Sequence, residues 1–492
     1  MRSARFRIRT AGLVVILAAL IVMSVAPAAG AGGATKAPQA GPLNPAFVKA
    51  LRDPAARTFG KLPNPVTVHV GAGAGASLVS RAALSLPKAY VAKYDLRTLG
   101  RLTPVKDQGQ WGTCWAFANV AALESQVLTG DPSAAPDYSE NNLVSQSGFG
   151  PFFQSDAYTY GGYDAMAVAY FTRWAGPVGE IEDPYSQTHE SPSPSSTTTL
   201  KHVQGVVMLP GRKSVRDNAL LKRMVMRYGA VSVGMLWSDF YYSPGPAAYY
   251  LGQRAGENHG VCIVGWNDDY SRSKFAAAAG RPPGNGAFLV RNSWGTGFGK
   301  SGYFYVSYYD RSFAFGDCTV YTRADDTGNF DDNYQYDTLG WTRAVGYPGK
   351  IHPSIGWEAN HFTAIATENI SAVGFYARSA NTKYAVYAGS GLGALSIQAT
   401  GTAALPGFVT VSLATPLPVT TGDSFVVAVR VNAPGVQRPL AVEARIAHYS
   451  EAATASPGES YVRHTRTDPW RDLTTVSGMG EANVCLKAYA TK

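Results

Sequence analysis

The chain has 492 residues, 46% of them apolar and 16% charged, with 43 Lys and Arg against 34 Asp and Glu and a formal charge of +9. These fractions belong to a globular protein of two or three domains and exclude a disordered or fibrous chain. No dense basic patch interleaved with aromatic residues occurs, which argues against nucleic acid as a partner.

Residues 1–31 read as a signal peptide. A basic segment from Arg2 to Arg9 precedes the apolar run Leu13 to Val22, and Ala29-Gly30-Ala31 offers a small-residue cleavage site. No later run approaches the ~18–20 apolar residues of a membrane span. The expectation is export: a secreted, extracellular protein, cell-surface association remaining open, with no membrane span once the signal is removed.

Residues 32–86 are weakly patterned and read as a propeptide or a linker. Asn44-Pro45 looks like a cap and a first helical position, with a short helix through Phe47 to Leu51. Val66 to Val70 alternates like a strand, and Gly71 to Ala76 has the composition of a flexible linker.

From about 87 to 205 the signals are mainly helical. Cys114 opens the run Cys114 to Leu128, which stops at Thr129-Gly130-Asp131-Pro132. A thiol in the first turn of a buried helix meets free N–H groups and the positive end of the dipole. Those favour the thiolate, the nucleophilic form. Ser139 to Val144 reads as a second helix start and Tyr163 to Trp174 as another helix. Ser191 to Thr199 reads as a surface loop.

From about 206 to 322, after a helix over Leu220 to Tyr228, strands dominate: Ala230 to Gly234, His259 to Trp266, Ala287 to Arg291 and Gly302 to Val306. Asn267 to Gly286 reads as an insertion. Its Asp268-Asp269 pair reads as a solvated turn in preference to a calcium site. From about 330 the chain is almost purely β, with alternating runs at Val373, Tyr384, Phe408, Ser424 and Leu440, which predicts a separate all-β sandwich. The boundary is expected within Arg323 to Asn333.

Three groups turn Cys114 into a site. His259 starts a buried strand and can take the thiol proton. Asn292, in Arg291-Asn292-Ser293-Trp294-Gly295, can fix the imidazole tautomer, with Trp294 covering their hydrogen bond. Gln108 and the Cys114 N–H can converge on an oxyanion. Of the other cysteines, Cys262 reads as a buried free thiol. Cys318 and Cys485 either pair or remain two separate buried thiols, the preferred reading. No CxxC suggests zinc.

With these residues on view, the chain resembles the papain-like cysteine peptidases over roughly residues 87–322. The resemblance is carried by Thr103-Pro104-Val105-Lys106-Asp107-Gln108-Gly109, Cys114-Trp115, Ser139 to Leu143, Gly161-Gly162, His259 and Asn292 to Gly299. The separation of Cys114 and His259 falls within that family's known range; Asn292 lies farther on, and the insertion after Asn267 accounts for the excess. Two departures are Trp111, at a disulfide position of many relatives, and Thr113. The resemblance implies an α+β, two-lobed fold: a helical lobe over about 87–205 and a β-barrel lobe over about 206–322. Residues 330–492 resemble a lectin-like β-sandwich. It also implies that Gly161 and Gly162 pair with the substrate backbone, and that Tyr163, Asp164, Val231, Gly234 and Glu257 lie near a side-chain pocket. Trp294 is counted with the substrate-binding residues.

The function these readings imply is a secreted cysteine endopeptidase. It hydrolyses peptide bonds through Cys114, His259, Asn292 and Gln108 by way of a thioester, on protein or peptide substrates, without metal or organic cofactor. A transpeptidase or acyl transferase using the same thioester is one alternative. The other is a non-catalytic surface adhesin, with a glycan or cell-surface ligand bound by the sandwich. Trp341, Tyr347, Trp357 and Trp470 could stack on sugars, core packing being the competing reading.

Overall fold

The computed structural model describes residues 37–52, 60–68, 90–150, 156–188, 190, 192–276 and 280–492. The expected signal peptide, the Gly71–Ala76 linker and most of residues 32–86 lie outside them. No helix among the described residues is long and apolar enough to cross a membrane.

Helices cluster in the first half. Helix α1 (Pro45–Arg52) begins where Asn44 accepts from the Ala46 N–H at 3.0 Å. Helix α2 (Cys114–Gly130) is the central element, buried on nearly every side. Its Ala, Leu and Val content supplies helix propensity and apolar surface together, as a helix enclosed by its neighbours requires. Helix α3 (Glu140–Ser145) is capped by the Ser139 side chain, which accepts from the Asn142 N–H. Helices α4 (Ala157–Tyr160), α5 (Asp164–Thr172) and α6 (Ala219–Tyr228) complete the set. The expected helices are thus present within a residue or two of their predicted ends.

The strands of the middle region form an antiparallel succession. Cys318–Asp325 pairs with His202–Leu209 and Val231–Met235, and Val231–Met235 pairs with His259–Asn267. Ala287–Arg291 and Tyr303–Ser307 follow. Every residue from His259 to Trp266 is buried, so this strand is held on both faces. One strand expectation fails: Val66 to Val68 form no ladder. Val66 and Val68 are buried instead as an irregular segment, while His69 and Val70 lie outside the described residues.

Beyond residue 330 two of three sheets face one another; the third joins Arg343–Gly346, Leu440–Ala444 and Ala482–Val484. Ser396–Ala403, Thr382–Gly389, Ser424–Asn432, Ile355–Thr363 and Ser460–Arg463 form one. Glu368–Ala377, flanked by Gly407–Val419 and Leu486–Thr491, faces it. Phe375, Val386, Phe425, Val427 and Leu486 fill the space between. This sandwich is joined to the preceding strands through the backbone: Gly407, Phe408 and Val409 pair with Val207, Val206 and Gly205. Inter-strand hydrogen bonds thus carry one sheet across the junction. All four cysteines are buried free thiols, Cys318 and Cys485 included. Trp341, Tyr347 and Trp357 are buried in the core, while Trp470 is half-buried beneath the Arg463 guanidinium.

Candidate active site

Cys114 begins α2 with no capping side chain, because Thr113 spends its hydroxyl on the Tyr185 hydroxyl at 2.7 Å. The N–H groups of the first turn remain directed at the sulfur end of the helix. The strand that begins at His259 arrives there edge-on, and the Gly260 N–H donates to Cys114 Sγ at 3.1 Å. The approach is close: a Cβ on Gly260 would stand 3.1 Å from the Cys114 carbonyl oxygen, so a larger residue there would press on the start of α2.

His259 Nε2 lies 2.7 Å from Asn292 Oδ1. The same Oδ1 accepts from the Ser293 N–H at 2.9 Å, which identifies it as the oxygen of the amide. An amide oxygen only accepts, so Nε2 carries the ring hydrogen and Nδ1 carries the lone pair. Trp294 stacks on the imidazole with centroids 4.7 Å apart, and the Trp237 ring packs edge-on against Trp294 at 4.8 Å. Trp237 was not singled out in the sequence, since nothing local marks it. Asn258 ties its backbone at both N–H and carbonyl.

Gln108 is buried. Its amide Nε2 donates to the Trp111 carbonyl at 2.6 Å, and its Oε1 accepts from Ser293 Oγ at 2.7 Å. Ser293 thus sets the orientation of Gln108 while its own N–H sets Asn292, a double duty that the motif Asn-Ser-Trp-Gly contains but does not announce. Trp111, in place of a cysteine, packs edge-on against Tyr158 and donates to the Ser186 carbonyl at 3.2 Å.

The cleft is filled by the chain itself. Residues 60–64 run through it as an extended segment. The Gly162 N–H donates to the Gly60 carbonyl at 2.7 Å, the Leu62 N–H to the Gly162 carbonyl at 2.9 Å, and the Lys61 N–H to the Asn258 carbonyl at 3.4 Å. One wall belongs to the helical lobe and the other immediately precedes His259, so the segment bridges both. Gly60 adopts φ +108° directly over Gly112, whose carbonyl oxygen would lie 2.0 Å from a Cβ there. Gly162 lies flat on the Trp115 ring, 2.4 Å from where a Cβ would be. The sequence offered one signal for this: Leu62-Pro63 and Asn64-Pro65 both force extended backbone.

The upstream part of this leader is anchored elsewhere. Gln39 and Ala40 pair with Gly346 and Val345 of the C-terminal sandwich. Phe47 of α1 packs against Tyr163 and Tyr449, at 5.3 and 5.1 Å between centroids. Tyr163 therefore spends its ring on the leader and the sandwich, while Gly161 and Gly162 line the cleft. Gly234 leaves room for the Glu257 carboxylate, which a Cβ would approach to 2.0 Å. On the Trp294 side, an open depression of about 570 Å³ is lined by Lys106, Asp107, Glu140, Glu180 and Tyr185 among others.

Burial governs the charges here. It pushes the Cys114 thiol up to about 12, against the hydrogen bond from Gly260 and the Lys61 charge, and pushes the His259 imidazole down to about 4. With the leader in place, burial disfavours the charged form of both.

The model of the papain family cysteine protease matches residues 90–325, and that of the lectin-like domain matches residues 333–490. Among solved structures, one similar to this chain is that of the cysteine protease and lectin-like domains of Cwp84, a surface layer associated protein of Clostridium difficile. The TM-score is 0.76 at 26% identity, covering 92% of this chain and 98% of that one. A cysteine-to-alanine form of clostridial Cwp84 after propeptide cleavage gives 0.71 at 28% identity, covering 81% and 99%. Cathepsin K of Mus musculus is 32% identical over 215 residues, 42% of this chain, and that of Gallus gallus 36% over 222 residues, 43% of this chain. The matched region spans 57% of the length of each of these two curated relatives.

Proposed function

Since the chain carries a papain-family cysteine peptidase domain followed by a lectin-like domain, we propose that it is an exported endopeptidase acting through Cys114, His259, Asn292 and Gln108, and held inactive by its own residues 37–68. The observation that carries the reading is the junction of α2 with the His259 strand. The Gly260 N–H donates to Cys114 Sγ, which supports reading the adjacent His259 as the base, and the contact with Asn292 leaves the lone pair on its Nδ1.

The reaction then runs as two acyl transfers. The Sγ proton passes to His259 Nδ1 and the thiolate attacks the peptide carbonyl. The charge on the carbonyl oxygen is met by the Cys114 N–H and by the second Nε2 hydrogen of Gln108, the first being held by the Trp111 carbonyl. The imidazolium returns its proton to the departing amine, leaving a thioester. Water, deprotonated by the same ring, releases the acid and restores the thiol.

Inhibition follows from the same geometry. The leader excludes substrate from Gly162 and excludes water from the sulfur and imidazole, which disfavours their charged forms. Its removal hydrates both and favours the thiolate–imidazolium pair. Cwp84, in its form after propeptide cleavage, is the similar structure that supports reading residues 37–68 as a propeptide. The surface-layer association of Cwp84 and the signal-like first 31 residues support a place outside the cell. A peptidyl electrophile added after limited proteolysis of the leader tests the reading. One adduct, mapped to Cys114 by mass spectrometry and lost with His259→Ala, is expected. Labelling spread over Cys262, Cys318 and Cys485 contradicts it.

A further inference from the structure

We infer that the chamber beside the Cys114 sulfur is built to receive a Lys or Arg side chain, and that Lys61 fills it as the leader's stand-in for substrate. The inference rests on the peptidase reading and names the substrate class for it: peptides with a basic residue at the position whose backbone pairs with Gly162.

Lys61 is 2% exposed, and its ammonium is ion-paired with Asp164. A lone buried ammonium is costly, so a chamber that accepts one must supply the countercharge. This one supplies more than one. Glu257 and Cys114 act on the Lys61 charge as well, and Asp317 feels it too.

Two of the three carboxylates are held by the framework independently of Lys61, Asp164 in addition to its ion pair. Asp164 Oδ1 accepts from Asn119 Nδ2 at 2.7 Å and from Ser232 Oγ at 3.3 Å. Glu257 Oε1 accepts from the Gly316 N–H at 2.7 Å, and its carboxylate lies between Gly234 and Gly316, where a Cβ on either would approach within 2.0 Å. The third, Asp317, accepts from Asn64 Nδ2 of the leader at 3.4 Å. Two glycines that make room for a carboxylate make no sense around an apolar pocket. They do where negative charge must stay after the leader has gone.

The test has two arms. In the full chain carrying Cys114→Ala, amide hydrogen exchange at Leu62 and Gly162 reads how firmly the leader is held. Lys61→Arg is expected to keep protection within about threefold of the parent, and Lys61→Met to speed exchange at least tenfold. Equal protection with Met overturns the inference. In the enzyme after limited proteolysis of the leader, a peptide library mapped by mass spectrometry is expected to give at least a tenfold higher kcat/KM for Lys or Arg than for Met at one fixed position. Glu257→Gln and Asp164→Asn should each drive that ratio toward one. Cleavage without the preference overturns the chamber and leaves the peptidase standing. No cleavage of any peptide or denatured protein overturns the peptidase, while the exchange arm still decides the chamber.

Discussion

The Gly260 N–H donates to Cys114 Sγ at 3.1 Å, a contact between the first turn of a helix and the start of a strand 146 positions later. It fastens Cys114 to the residue beside His259, so the helix and the strand cannot part without breaking it. Asn292, one strand farther, holds the imidazole from the other side.

Asn292→Ala removes that hold. A hydrogen bond to a group that becomes charged is worth about 1.5–3 kcal/mol, so kcat is expected to fall roughly ten- to hundredfold. KM should stay within a few fold, since Asn292 does not line the Gly162 wall. Steady-state kinetics on the leader-free enzyme checks the split.

On the proposed mechanism, Gln108→Ala is expected to cost about 2.7–4 kcal/mol of barrier, roughly 10²–10³ in kcat. Ser293→Ala leaves the amide in place but unties its Oε1, and should cost less, about tenfold. If Ser293→Ala proved as severe as Gln108→Ala, the serine would have a direct role of its own.

Gly60→Val tests the leader. A side chain at φ +108°, aimed at the Gly112 carbonyl, cannot sit in the passage. The full chain should then cleave small peptides faster than the parent at equal protein concentration, by at least tenfold. An unchanged rate would mean that residues 60–64 do not gate the site.

Burial, opposed by the Lys61 charge and reinforced by their neighbours, holds the Glu257 and Asp317 carboxyls up at about 7, above their ordinary values. The charged groups facing them are Lys61, Asp164 and each other. Below that pH they are neutral and attract a cation weakly; above it they are ionised. In the full chain carrying Cys114→Ala, the hold on Lys61, read as amide-exchange protection at Leu62 corrected for the intrinsic exchange rate, is therefore expected to rise between pH 6 and pH 8. Protection that is flat or falls contradicts the assignment.

Much of this was legible because local chemistry dictated it. The α2 run, the Ser139 cap and the alternating strands after residue 330 carry their signals within a few residues. Cys114, His259 and Asn292 stand out by residue type and motif. What stayed hidden depends on distant partners. Val66 and Val68 alternate like a strand, yet they are buried without a ladder. Trp237, Ser293 and Lys61 gain their roles only when remote segments meet. The sandwich was expected to be separate, and no residue in Gly407-Phe408-Val409 signals that it joins the strand at Val207.

The most direct measurement is cleavage of a denatured protein by leader-free Cys114→Ala, with circular dichroism confirming the fold. The first helical turn accepts Ala at no cost in propensity, so the folded protein is expected intact and its activity lost entirely. Cleavage persisting in the purified variant would contradict the assignment of Cys114 as the nucleophile.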